Sequence, residues 1–76
     1  MRVRLIAEGS PSKLQRDIQM DGVPSREVRI RFSNTLVLLP TAILWDVTLD
    51  MYVVPVYHQD DKVLIAHGFY TPKPVD

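Results

Sequence analysis

Met51-Tyr52-Val53-Val54-Pro55-Val56-Tyr57 is the stretch on which the fold turns. It is filled with β-branched and aromatic side chains, which favour a strand, and its apolar residues occupy both odd and even positions. Both faces of such a strand need cover. Pro55 lacks the N–H that a ladder needs, which predicts an exposed edge or a bulge at that point. Beyond it, Gln59-Asp60-Asp61 has turn chemistry and Lys62 to Tyr70 resumes an apolar pattern. The spacing predicts a hairpin of two strands, about residues 50–58 and 62–70. In that register His58 lies opposite Val63, Val56 opposite Ile65, Val54 opposite His67 and Tyr52 opposite Phe69. Residues 71–76, with Thr-Pro-Lys-Pro, read as an extended tail outside a single compact domain over residues 1–70.

Working back toward the N-terminus, residues 40–47 fit either a helical turn opened by Pro40 or a further strand, and the helical turn is the preferred reading. Leu36-Val37-Leu38-Leu39 is apolar on both faces, as a central or covered strand is. Ser33-Asn34-Thr35 supplies a turn before it, and residues 25–32 alternate Val28, Ile30 and Phe32 with Glu27, Arg29 and Arg31. This predicts a second hairpin. Ser10-Pro11-Ser12 offers helix-capping groups, Leu14 and Ile18 share a face at a spacing of four, and Asp21-Gly22 is a stop. A short helix over about residues 11–20 is expected. Residues 2–7 alternate as a half-buried strand, with Val3, Leu5 and Ala7 on one side. The fold class that follows is α+β: a small, mainly antiparallel β-sheet or partly closed barrel with one short helix, in the order β-α-β-β-(turn or helix)-β-β.

With 76 residues the chain has room for one core and buries only about 60% of its unfolded surface. Its hydrophobic fraction of 46% and charged fraction of 24% are those of a folding sequence rather than a disordered one. The absence of cysteine excludes disulfides, thiolate metal sites and cysteine nucleophiles. The N-terminus has no long apolar region of the signal-peptide kind. The most apolar stretch, Leu36 to Trp45, is broken at Pro40 and falls short of the ~20 residues that cross a membrane. A cytoplasmic location and no membrane partner are the default expectations. The net charge is zero, yet bases outnumber acids up to Leu38 and acids outnumber bases beyond it. Such asymmetry can orient a partner.

No group of residues has the spacing of a catalytic centre, a metal site or a cofactor loop, so none is expected. The serines sit in capping or turn contexts, and Gly9, Gly22 and Gly68 are isolated rather than gathered in a phosphate-binding loop. Two surfaces remain as candidates. Arg29 and Arg31 project from one strand face, and Arg2 and Arg4 join them if the first strand lies alongside. Four guanidiniums so placed suit phosphates or a partner's carboxylates, although Glu27 shares that face. The second is an apolar surplus, with Leu44, Trp45, Tyr52 and Val54 as candidate interface residues.

These features favour a non-catalytic interaction protein, homo-oligomeric, that binds or regulates a partner protein. A nucleic-acid-binding protein using the arginine face is the first alternative. The second is a small enzyme with a site at a subunit interface around His58, Asp60 and His67.

Overall fold

The computed structural model describes residues 1–73. Among them the elements are β1 (Arg2–Glu8), β2 (Gln15–Gln19), β3 (Ile30–Arg31), β4 (Val37–Leu38), β5 (Leu44–Asp46), β6 (Met51–Tyr57) and α1 (Asp61–Ala66). β2, β1, β6 and β5 form a sheet in that order, while β3 and β4 form a separate hairpin. The α+β class is as expected, and most ladders are antiparallel. The barrel alternative is not realised, because the sheet stays open with β2 and β5 at its edges.

β1 and β6 are the two central strands and run parallel, with Leu5 beside Val54 and Ala7 beside Val56. These side chains share one face with Val3 and are all but inaccessible. Leu36 and Leu38 of the hairpin, Leu64 of α1, Leu14 and Phe69 complete the core. The apolar two-faced character of residues 51–57 therefore marks a central strand rather than a hairpin arm. Its second face carries Met51, Val53 and Pro55, beside Arg4 and Ile6 of β1.

Pro55 shows how a proline fits a central strand. The His58 N–H donates to the Glu8 carbonyl, whereas the Pro55 carbonyl accepts from Thr41 on the other side. Odd-numbered backbone groups of β6 thus face β5, and the N–H that Pro55 lacks is on that side. There the neighbouring chain slips by one residue, between the Pro40–Val56 bridge and the Leu44–Val53 pair. The slip is the expected bulge, placed beside the residue that cannot donate.

Three expected elements are corrected. Residues 15–19 are strand β2, antiparallel to β1, and not part of a helix over 11–20. The spacing of four that joins Leu14 to Ile18 is common to both periodicities, since a side chain four residues on also shares a strand face. With Met20 these residues pack on the core while Gln15, Asp17 and Gln19 point away. Residues 44–46 form strand β5, not a helical turn, because β6 offers them an unpaired edge.

The third correction is residues 61–66, which form helix α1 instead of the second arm of a hairpin. Asp60, read as a turn residue, is the N-cap, its carboxylate accepting from the N–H groups of Lys62 and Val63. The same short acceptor serves both tasks. At the other end His67 is the C-cap and Gly68 follows at φ 87°. The Gly68 N–H reaches the Ile65 carbonyl and the Phe69 N–H the Leu64 carbonyl, a Schellman closure sealed by the buried pair Leu64 and Phe69.

The expected strand over 25–32 shrinks to Ile30–Arg31, paired with Val37–Leu38, so the second hairpin exists but is short. Ser25 ends it early. Its hydroxyl accepts from the Glu27 N–H and its carbonyl from the Val28 N–H, curling the chain before it can extend. Of the expected tail, residues 74–76 lie outside the described residues.

Candidate protein interface

β5 is positioned by β6 alone. Leu44 pairs with Val53, Trp45 with Tyr52 and Asp46 with Met51, and no described strand or helix lies on its far side. Because odd-numbered groups of β6 face β5, Leu44–Val53 and Asp46–Met51 are the hydrogen-bonded pairs. Trp45–Tyr52 is then the close, non-bonded pair. Two consequences follow. The Trp45 and Tyr52 rings meet edge to face, 5.0 Å between centroids, and the backbone N–H and C=O of Trp45 point outward from the open edge.

The side chain of Trp45 continues the core onto the surface. Ile18, Val3, Tyr52 and Trp45 form one row across the four strands, passing from fully buried Val3 through half-buried Tyr52 to Trp45, which is 52% exposed. Around Trp45, Leu44 is exposed to a similar degree and Val47 reaches 79%. Trp45 and Tyr52 also wall a cleft of about 290 Å³ shared with Met1, Arg2, Leu49 and Met51.

The β5–β6 turn is set by Asp46. Its carboxylate accepts from the N–H groups of Thr48 and Leu49 and from the Thr48 hydroxyl at 2.6 Å. These bonds, the Thr48 hydroxyl first, hold its carboxyl below the usual range. Asp50 takes φ 53°, the left-handed backbone that lets the chain reverse. The backbone of the turn that carries Val47 and Leu49 is thus pinned by Asp46.

Of the four residues expected at an interface, Trp45 and Tyr52 come together here on one face of the edge, and Leu44 is exposed on the other. Val54 joins neither: it is fully buried between Leu5 and the rest of the core and has no surface to offer. Its place on β6, two residues from Tyr52, puts it one row deeper under the sheet. Val47 and Leu49, exposed beside the other three, were missed by the sequence reading. The signal was present, since residues 41–49 contain no lysine, arginine or proline, the usual guards of an exposed edge.

The arginines divide. β1 lies between β2 and β6 and makes no ladder with β3, so Arg2 and Arg4 are not carried beside Arg29 and Arg31 by strand pairing. Arg4 instead grips Asp17 across β1–β2, Nε to Oδ1 at 2.8 Å and Nη2 to Oδ2 at 3.2 Å, with Arg2 3.6 Å from the same carboxylate. The Arg4 bonds hold the Asp17 carboxyl below its ordinary value, and the Arg4 guanidinium is stabilised in turn. Arg29 and Arg31 are exposed.

The histidines are separated by the length of α1, which replaces the hairpin register expected for them. His58 Nδ1 accepts from the Asp60 N–H at the helix start. His67, at its end, bonds the Val63 carbonyl through Nδ1 at 2.8 Å and the Ser33 hydroxyl through Nε2 at 3.2 Å. It thereby ties α1 to the β3–β4 hairpin. Arg16, overlooked in the sequence, does similar work, donating to the His67 carbonyl while its guanidinium lies 5.0 Å from the centre of the Phe32 ring. Among the described residues no three His, Cys, Asp or Glu side chains are grouped to hold a metal ion. No helix among them is long and apolar enough to cross a membrane. Comparison with protein-family models, with curated proteins and with solved structures finds no match.

Proposed function

We propose that the chain is a non-catalytic interaction protein whose binding surface is the open edge of β5. One observation carries the reading: a half-exposed tryptophan, braced by Tyr52, stands on an edge strand whose central N–H and C=O point outward. A partner strand added there satisfies the backbone groups, and the apolar side chains beside it lose water. Tryptophan suits the role because it brings a large rigid surface at little cost in side-chain freedom, and such anchors carry ~2 kcal/mol or more of an interface.

The arginine reading has less behind it. Arg4 is committed to Asp17, and of the four guanidiniums Arg29 and Arg31 are the pair left on one short strand and its approach. Single-stranded nucleic acid stacks on exposed aromatics, whereas Phe32, next to Arg31 in the chain, packs on the core against Phe69 and His67.

The test is capture of a binding partner by the immobilised wild-type chain, by Trp45→Lys and by an Arg29→Ala, Arg31→Ala double variant. Loss on Trp45→Lys with retention on the double variant is the expected result. A partner held equally by wild type and Trp45→Lys, or lost only with the two arginines, refutes the edge as the binding surface.

A further inference from the structure

We infer that the strand which covers β5 is β5 of a second copy of this chain, added antiparallel across a two-fold axis at Trp45. The inference rests on the reading of β5 as the binding edge and names its occupant. Trp45 is the middle residue of the strand and its backbone groups face outward. Two such strands meeting antiparallel about the axis therefore exchange a pair of hydrogen bonds, Trp45 to Trp45, at the centre. On the same face Ile43 then stands opposite Val47 of the second copy, and the two indoles lie side by side. On the other face Leu44 falls opposite Asp46, so the strand's one charge, already bonded by Thr48 and Leu49, never meets its own copy.

The area is of the right order. The exposed fractions of Leu44, Trp45, Val47 and Leu49 amount to about two whole large side chains, roughly 400 Å² at the ~150–250 Å² a large side chain presents. That is about half of the ~800 Å² each partner contributes to a standard interface, before the paired backbone and the cleft beside Arg2 are counted.

The asymmetry of the sheet argues for two copies and no more. Its other edge, β2, reads Gln-Arg-Asp-Ile-Gln, and Gln15 there is already paired with Tyr70 through hydrogen bonds in both directions, each 2.9 Å. One edge is apolar and open; the other is polar and partly covered. Pairing of the open edges gives an eight-stranded sheet that ends at a β2 on either side, a closed dimer instead of a fibre.

The experiment is sedimentation velocity over a dilution series, with amide hydrogen exchange followed at Trp45, on wild type, Val47→Lys and Val23→Lys. Val47 and Val23 are both exposed outside strands, so neither change threatens the fold. A wild-type dimer at about 100 μM, slow exchange at the Trp45 amide that becomes fast on dilution, and a dissociation constant raised about 10-fold or more by Val47→Lys alone are expected. A wild type that stays monomeric at that concentration overturns the inference. So does a dimer whose Trp45 amide exchanges freely, or one that both lysine variants weaken alike. A monomer that nonetheless loses a different protein partner on Trp45→Lys keeps β5 as the binding edge and removes the second copy as its occupant.

Discussion

Gly68 offers a measurement that separates backbone conformation from side-chain contact at one position. It sits at φ 87° in the closure of α1, where an L-residue costs about 1–2 kcal/mol. A Cβ there meets the Arg16 guanidinium, with Nη1 at 3.1 Å and Cζ at 3.3 Å. Those atoms end a flexible side chain, but Arg16 is held by the His67 carbonyl and lies over Phe32. Displacing it forfeits an interaction of about 0.5–1 kcal/mol. Gly68→Ala is therefore expected to lose about 2 kcal/mol of folding stability. Asn has the same Cβ but tolerates the left-handed region, so Gly68→Asn keeps the contact cost and sheds much of the backbone cost, for a loss nearer 1 kcal/mol. In urea unfolding followed by circular dichroism, with a slope of about 1 kcal/mol per molar for a chain of this size, the midpoints fall by about 2 M and 1 M. Equal losses for Ala and Asn would show that the backbone plays no part. No loss in either would refute the Schellman closure as a stabilising feature.

Removing buried volume tests the core. Leu64→Ala empties a fully buried site where α1 meets the sheet and should cost about 2–5 kcal/mol, a large share of the ~4–11 kcal/mol expected for this length; a thermal midpoint within a degree or two of wild type contradicts that placement. Ser10, the one buried polar residue among those described, accepts from the Leu14 N–H and donates to Asp61. Ser10→Ala strands the Leu14 N–H and should destabilise by about 1–3 kcal/mol, read by the same unfolding curves. Asp17 has a lowered carboxyl, chiefly through the hydrogen bond from Arg4. Its contribution is present above the unfolded value of ~3.9 and is lost as pH falls through the lower folded value. Asp17→Asn should therefore be less stable than wild type at neutral pH, the gap narrowing below pH ~4; a gap independent of pH removes the ion pair as its cause.

Where the sequence was legible, periodicity or strand propensity explained the residues without a rival. Residues 2–7 alternate cleanly and become β1, and residues 51–57 are too rich in β-branched groups to be anything but a strand. The errors fell where two structures share one pattern. Leu14 and Ile18 satisfy a helix face and a strand face alike, and what decides between them is β1 offering an edge and Asp17 meeting Arg4. Asp60 suits a hairpin tip as well as an N-cap. The deciding residue there was Gly68, eight positions on, whose left-handed backbone closes a helix against Phe69. Read together, Asp60 and Gly68 bracket a helix, whereas Asp60 read alone suggests a turn.

The parallel pairing of β1 and β6 was invisible for a different reason. It joins strands separated by most of the chain, and local pattern records no long-range choice of neighbour. That choice determines where the arginines go and which edge is left open. Once β1 is central, Arg4 turns to Asp17 on β2 and ceases to be available to a phosphate, while the outer side of β6 is left to β5 and the short bridge at Pro40. The charge that accumulates in the first half of the chain is thus spent partly within the sheet, on the β2 side. The apolar surplus of the middle segment ends at the opposite edge, around Trp45. One open sheet thus carries a polar edge and an apolar edge on opposite sides, the division on which the proposed association rests, and it follows from the placement of β1 rather than from the composition of either strand.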